Sequence, residues 1–114
     1  MAVGKMIKTV TCQLVTLMDL VPGTLELTSS HISFYDETND SLFGSGFDFR
    51  FSLKELKEMH MRRYNLRKSA LEFFLDDKAS YFINFVTAKV YSVLQYFAIF
   101  SSKLILFSSK LISN

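Results

Sequence analysis

Phe47-Asp48-Phe49-Arg50-Phe51 alternates aromatic with charged side chains, and this stretch indicates the fold class of the chain. Successive side chains of a β-strand point to opposite faces of a sheet, so the Phe rings would share one face and the charged groups the other. The alternation therefore predicts a half-buried strand with one face in a core and one in water. Strands of this kind are typical of antiparallel sheets.

The same period of two extends on both sides of this stretch. It predicts further strands at residues 14–20, 24–28, 31–35, 58–64, 71–75 and 81–85. Val21-Pro22-Gly23 is expected to turn, because Pro fixes φ and Gly tolerates positive φ. Polar turns are expected at 36–46, 65–69 and 76–78. Short strands joined by short loops predict an antiparallel sandwich or a small barrel.

The period changes after Thr87. Apolar residues then recur at steps of three and four, which predicts an amphipathic helix with the stripe Val90, Val93, Leu94, Phe97, Phe100, Leu104, Phe107 and Leu111. Ser52 and Glu55 have the spacing of a capping box. The predicted class is mainly β, a barrel of about seven antiparallel strands closed by a C-terminal α-helix. The predicted core residues are Phe34, Phe49, Leu71, Phe73, Ile83 and Phe85.

Composition narrows the classes of protein. The chain has 114 residues, the size of one domain, and 49% of them are hydrophobic. Its net charge is +2, so we do not expect a nucleic-acid partner. Cys12 is the single cysteine, and a reducing compartment is expected because no internal disulfide can form. The first residues do not have the pattern of a signal peptide, because they lack a long apolar region and a small-residue cleavage site.

The residue patterns predict neither catalysis nor a metal site nor a cofactor. His31 and His60 lie far apart in the sequence and no cysteine pair accompanies them. Asp36, Glu37 and Asp40 do not have the spacing of a calcium loop, so we expect a solvated acidic loop. The serines stand in no nucleophile motif. We therefore expect a binding module that is not an enzyme.

Five stretches together resemble one known family: Val21–Thr28, His31–Asp36, Met61–Phe74, Tyr81–Phe85 and Lys89–Ser92. They are similar to the pleckstrin-homology (PH)-like domain that precedes a BEACH domain, most closely that of the neurobeachin and neurobeachin-like proteins. Met61–Phe74 is similar to the most recognisable stretch of that family. The other similar stretches are Val21–Thr28 and His31–Asp36 for the second and third strands, Tyr81–Phe85 for the last strand, and Lys89–Ser92 for the start of the helix. The resemblance covers residues 10–95.

This resemblance implies an organisation and a function. Residues 1–9 would be an N-terminal extension, residues 10–95 the PH-like domain, and residues 96–114 an apolar helical tail unlike the family. The domain would be a non-catalytic interaction module of a cytoplasmic scaffold in vesicle traffic, peripheral on endomembranes, and its partner an adjacent BEACH domain. Because the sequence contains neither a BEACH domain nor WD40 repeats, we expect a fragment, a splice product or a partial gene copy.

A basic cluster is the first candidate site, and it consists of His60, Arg62, Arg63, Tyr64, Arg67 and Lys68. It could contact protein, since the planar guanidinium group is favoured at interfaces. It could bind anionic lipid, or form a solvated hairpin with arginines paired to Glu55, Glu58 or Glu72. Arg63 is expected to be partly buried on the face of Met61. Phosphoinositide-binding PH domains carry basic residues in their first loop, but residues 19–23 contain none, so we expect protein contact and weak or no specific phosphoinositide binding.

The apolar tail is the second candidate site, with Phe97, Phe100, Leu104, Phe107 and Leu111 on one stripe. Residues 93–107 are too short and too polar to cross a bilayer, which needs about twenty apolar residues. An interfacial helix, self-association and a frayed helix end are the remaining interpretations. The alternative function is a peripheral membrane module that binds anionic lipid through the basic cluster and this tail.

Overall fold

The computed structural model describes residues 7–38, 46–87 and 89–100, and at residues 91 and 97–100 it describes the backbone alone. Its strands are β1 (Ile7–Val15), β2 (Leu20–Thr28), β3 (His31–Asp36), β4 (Phe49–Ser52), β5 (Leu56–Tyr64), β6 (Arg67–Leu75) and β7 (Ser80–Phe85). A short 3-10 turn at Leu53–Glu55 connects β4 to β5, and the helix α1 (Val90–Phe100) follows β7. The capping box is confirmed, since Ser52 and Glu55 cap this turn reciprocally.

The seven described strands form one antiparallel sheet in the order β4-β3-β2-β1-β7-β6-β5. Strands that follow one another in the chain are neighbours in the sheet, except that β4 and β5 are separated and β7 pairs with β1 through Cys12↔Phe85 to Val15↔Phe82. Strands β4 and β5 are the two edges, and over the described residues they are not paired with each other. The sheet is therefore open.

Aromatic contacts show that the sheet curls over itself. The rings of Phe49 on β4 and Tyr81 on β7 stack with centroids 3.8 Å apart, although β3, β2 and β1 lie between these strands in the sheet. Phe51 and Phe73 also meet, with centroids 5.9 Å apart. The inner faces of the two halves consequently enclose one core. Five of the six predicted core residues are buried there, and Phe49 is half-buried against them.

Helix α1 begins where the apolar period changes. Val90, Val93 and Leu94 are buried in the same core as the strands, because their spacing places them on one side of the helix. The Lys8 ammonium lies 4.3 Å from the centroid of the Tyr96 ring, which adds a cation–π contact between α1 and β1.

The predicted first strand is wrong. β1 ends at Val15, and the chain turns at residues 16–19, where the Thr16 amide donates to the Asp19 carbonyl at 2.9 Å. Leu17 and Met18 on this turn are exposed, so the predicted apolar face across residues 14–20 does not exist. The true alternation lies earlier, where the inward residues Val10, Cys12 and Leu14 are separated by polar residues.

The predicted turn at Val21-Pro22-Gly23 is also wrong, because these residues lie inside β2. Pro22 precedes Gly23, which is the first residue of β2 that pairs with β3. The Pro22 carbonyl accepts a hydrogen bond from the Glu37 amide at 3.0 Å. A Cβ on Gly23 would collide with the Tyr35 carbonyl oxygen and come within 2.5 Å of the Phe34 ring. Glycine is therefore needed here for close approach of β3, not for positive φ.

The mainly β class and the seven antiparallel strands are confirmed. Closure of a barrel by the C-terminal helix stays a prediction. The predicted turn at 76–78 is present, and Lys78 there has φ 73°.

Candidate functional site

The outer face of β5, β6 and β7 carries three of the predicted contact residues. Met59 pairs with Phe73 and Met61 with Leu71 toward the core, so the residues that alternate with them point outward. This outer face presents His60, Arg62 and Tyr64 from β5, Glu72 and Phe74 from β6, and Phe82 from β7. We call these residues the outer patch.

One ion pair and one hydrogen bond orient the polar part of the outer patch. Arg62 Nε donates to Glu72 Oε1 at 2.8 Å, and His60 Nε2 lies 2.9 Å from Glu58 Oε1. The pairing of Arg62 with Glu72 is one of those expected from the sequence. These groups remain partly exposed, so each pair stabilises the fold by less than about 1 kcal/mol. Their main effect is to hold the side chains in place.

Aromatic rings form the rest of the outer patch. The Phe74 ring meets the His60 ring edge to face at 5.3 Å between centroids, and Tyr64 and Phe82 are 6.5 Å apart. Phe74 and Phe82 occupy positions where a solvated strand face would carry polar residues. Neither residue was predicted to be a contact residue. Both are apolar at positions of β6 and β7 that alternate with the inward residues, and this pattern could have identified them. Aromatic residues with Arg are typical of the centre of a protein interface.

The other basic residues lie at the end of the β5–β6 hairpin. The turn is Asn65–Leu66 alone, because β6 already begins at Arg67, and the predicted turn at 65–69 was too long. Arg63 is exposed, so the prediction that it is partly buried is wrong. A register shift between Arg62 and Tyr64 breaks the alternation that placed Arg63 with Met61.

A groove of about 610 Å³ lies beside this hairpin. Polar side chains link three strands along it: Ser69 Oγ donates to Asn84 Oδ1 at 2.5 Å, and Asn84 Nδ2 donates to Gln13 Oε1 at 3.0 Å. Cations line it together with apolar groups, and no described Asp or Glu is among its lining residues. We call Arg63 together with the groove cations Arg67, Lys68 and Lys89 the basic end.

The turns at the opposite end of the β1, β7 and β6 ladder are acidic. The β1–β2 turn at residues 16–19 contains no Lys or Arg, so the expected lack of cations in the first loop holds at its corrected position. The described parts of the β1–β2, β3–β4 and β6–β7 turns carry Asp19, Glu37, Asp48, Asp76 and Asp77 against the single cation Lys78. This charge disfavours an anionic headgroup at these turns.

The expectation of a solvated acidic loop is wrong for Asp36. Its Oδ1 accepts from the Thr38 amide at 2.7 Å, and its Oδ2 accepts from the Phe47 amide at 3.0 Å. Asp36 is buried and joins the two flanks of the β3–β4 connection. Glu37 is exposed as expected, and Asp40 lies outside the described residues.

Among the described residues, the side chains that could react or bind a metal ion have a structural role. Burial raises the pKa of the Cys12 thiol to about 12, which keeps it protonated and unreactive near neutral pH. Within the described ranges, no group of three His, Cys, Asp or Glu side chains could hold a metal ion. In the same part of the chain, no helix has the length and apolar character that a membrane span requires.

The predicted tail residues lie partly inside and partly outside the described residues. Phe97 and Phe100 lie in α1, where the backbone alone is described, and Leu104, Phe107 and Leu111 lie outside the described residues. The predicted roles of the tail stay predictions.

Comparison with known proteins shows the family. The sequence profile of the PH domain associated with Beige/BEACH matches residues 12–98, about three quarters of the chain. The chain belongs to this family. The PH-BEACH resemblance noted in separate stretches is thereby confirmed, and the match extends from β1 into α1.

A solved structure supports the fold of this PH-BEACH domain. The crystal structure of the C-terminal domain of an unknown protein from Leishmania infantum is similar with a TM-score of 0.65 and 17% sequence identity. The similarity covers 81% of this chain and 83% of that chain. At this identity the likeness concerns the fold alone.

Proposed function

We propose that this PH-BEACH domain is a non-catalytic protein-interaction module of a BEACH-type scaffold in vesicle traffic, and that the outer patch contacts a BEACH domain. The observation that carries the proposal is the composition of the outer patch. Half-buried rings of Tyr64, Phe74 and Phe82 surround the Arg62–Glu72 pair on an open sheet face. Family membership supplies the class of partner.

The physical argument concerns the state of these rings in the isolated domain. Their inner edges pack on the sheet while their outer surfaces meet water, so a partner that covers them gains hydrophobic free energy. Tyr and Arg are also the residues that most often dominate interface energetics. The Arg62–Glu72 pair is already formed, so it is preorganised for a polar partner group.

The same proposal places the scaffold in the cytoplasm, peripheral on endomembranes. Its support is the family membership and the free thiol of Cys12, which suits a reducing compartment.

A binding measurement with matched tyrosine variants tests the outer patch. The chain is titrated by calorimetry with a separately purified BEACH domain of a neurobeachin-like protein. Tyr64→Ala should weaken binding by about tenfold or more, as expected for a residue near an interface centre. Tyr35→Ala is the control, because Tyr35 is an exposed tyrosine on β3, outside the outer patch.

Circular dichroism and thermal melts establish that both variants fold. Equal binding by the Tyr64→Ala and Tyr35→Ala chains, or the lack of any binding by the unaltered chain, would show that the outer patch does not contact the BEACH domain.

A further inference from the structure

The β5–β6 hairpin projects beyond its neighbour β7 in the sheet. The last residue pair between β6 and β7 is Ala70↔Asn84, whereas β5 and β6 remain paired as far as Tyr64↔Arg67. The Asn65–Leu66 turn therefore extends past β7 as a two-stranded finger. It lies beyond the end of the outer patch and is free to meet a second surface.

Leu66 at the tip of this finger is not explained by the fold. Its side chain is 91% exposed and its φ is 69°, a left-handed conformation that Gly and Asn adopt far more readily than leucine. Asn65, with φ 49°, is typical of such a turn, and Gly is the usual residue after it. Leucine is unfavourable in this left-handed conformation, and its side chain does not contribute to the core. The side chain therefore serves a contact outside the domain.

Cations surround this exposed leucine. Arg63, Arg67 and Lys68 flank it in the hairpin, and Lys89 lines the same groove from the β7–α1 connection. In the part of the chain that the structure describes, none of these four groups forms an ion pair. Exposed Val86 adds apolar surface beside Lys89. Leu66 and the basic end together present an exposed apolar side chain beside positive charges that form no ion pair in the described part of the chain.

We propose that the basic end contacts the surface of a bilayer that contains anionic lipid. Leu66 enters the interfacial layer, and the cations lie at the level of the lipid phosphates. An exposed apolar side chain beside cations that have no ion pair among the described residues matches the layers of an anionic membrane surface, where lipid phosphates lie next to an apolar interface. The site differs from the outer patch, so this inference goes beyond the proposed BEACH contact and does not depend on it.

The acidic turns fix the orientation of the domain on the bilayer. Asp19, Asp76 and Asp77 lie at the other end of the β1, β7 and β6 ladder, where a negative surface repels them. The PH-BEACH domain therefore approaches with its β5–β6 hairpin and not with its β1–β2 turn. Attraction through several exposed cations carries no preference between phosphoinositide isomers, and salt weakens it.

Vesicle sedimentation with matched variants of the full chain tests this contact. The vesicles contain phosphatidylcholine and phosphatidylserine in a ratio of about 7:3, and pure phosphatidylcholine vesicles provide the neutral reference. Leu66→Ser should lower the partition coefficient by about tenfold, since the leucine side chain no longer enters the interface. Arg67→Glu with Lys68→Glu should lower it by at least about tenfold.

Each variant has a control in the same chain. Leu17→Ser removes the exposed leucine of the acidic β1–β2 turn, and Lys54→Glu with Lys57→Glu reverses two exposed cations near the start of β5. Both controls should keep the partition coefficient within about twofold, because their sites face away from the bilayer. The tail is identical in all variants, so it cannot produce a difference between Leu66→Ser and Leu17→Ser.

Three outcomes would overturn the proposal. The first is equal loss of binding by the Leu66→Ser and Leu17→Ser chains. The second is equal binding of the unaltered chain to neutral and anionic vesicles. The third is binding of a poly-glutamate peptide that depends on Arg67 and Lys68, with no binding to anionic vesicles, which would assign the basic end to an acidic protein.

Discussion

Among single residues, Cys12 has the most strongly altered chemistry. It pairs with Gly23 on β2 and Phe85 on β7, and its side chain is buried in the core. Burial disfavours the thiolate and raises the pKa of the thiol from its ordinary value of 9.0 to about 12. The cysteine therefore behaves as a small hydrophobic core residue, and its burial is the reason for its inertness.

The altered pKa of Cys12 has a consequence for reactivity and for stability. At pH 8 the native chain should react with Ellman's reagent much more slowly than the chain in urea. Because the pKa is raised in the folded state, its contribution to stability is fully present below pH 9, the unfolded pKa, and is lost as pH rises through 9 toward the folded pKa of about 12. Urea unfolding from pH 7 to 10 should therefore show declining stability near the upper limit, and a Cys12→Ala chain should lose this component. Rapid labelling of the native chain at pH 8 would contradict the burial of Cys12.

Gly23 shows a different limit of residue-level reasoning. A Pro-Gly pair is a strong turn signal, yet Pro22 and Gly23 lie within β2. The glycine is required because the Tyr35 carbonyl and the Phe34 ring of β3 approach its Cα closely. The local sequence does not predict this close approach, because the approach depends on how closely β3 packs beside β2 in the folded sheet.

At the scale of elements, the aromatic strands behave as their alternation predicts. Phe51 and Phe73 are buried, and the stack of Phe49 on Tyr81 connects edge strand β4 to β7 across the curled sheet. The exceptions are Phe49, which is half-buried at the start of β4, and Phe47, which precedes β4 and is exposed. Because Phe51 on the same strand is buried, the position of each residue relative to the start of the strand decides this difference, and the alternation does not report it.

This difference predicts a graded loss of stability. Phe73→Ala should lower the free energy of unfolding by about 3–5 kcal/mol, since it leaves a cavity in the core. Phe49→Ala should cost less, about 2 kcal/mol, because its ring already meets water. In a double-mutant cycle with Tyr81→Ala, the Phe49–Tyr81 stack should show a coupling of about 1 kcal/mol. Urea denaturation measures the unaltered chain and the four variants, and an equal loss for Phe49→Ala and Phe73→Ala would contradict the burial order.

At the scale of the whole molecule, the helical stripe has a part held by the core and a part beyond it. Val90, Val93 and Leu94 are buried in the domain. The stripe continues in the sequence through Phe97 to Leu111, which is further than a small sheet can cover. Apolar stripes of this length usually mark association sites.

We predict that the full chain self-associates and that deletion of residues 97–114 relieves this without unfolding the sheet. The deletion keeps the buried residues of α1 and the contact between Lys8 and Tyr96. Light scattering at about tens of micromolar compares the two chains, and circular dichroism checks the fold. A monodisperse full-length monomer, or loss of structure on deletion, would show that the tail packs on its own domain.

The sequence by itself determined the mainly β class, the number of strands, the capping box at Ser52, the start of the helix and the family, because alternation, caps and motifs are local properties of the chain. It also determined most of the core, since a period of two selects the inward residues once a strand is assigned. The tertiary structure alone decided that Phe82 and Tyr64 share one outer face, that Lys89 joins Arg67 and Lys68, and that Asp36 is buried. These juxtapositions arise where the curled sheet and the hairpin bring distant parts of the chain together. No local pattern encodes them, because their free energy depends on contacts that exist only in the folded domain.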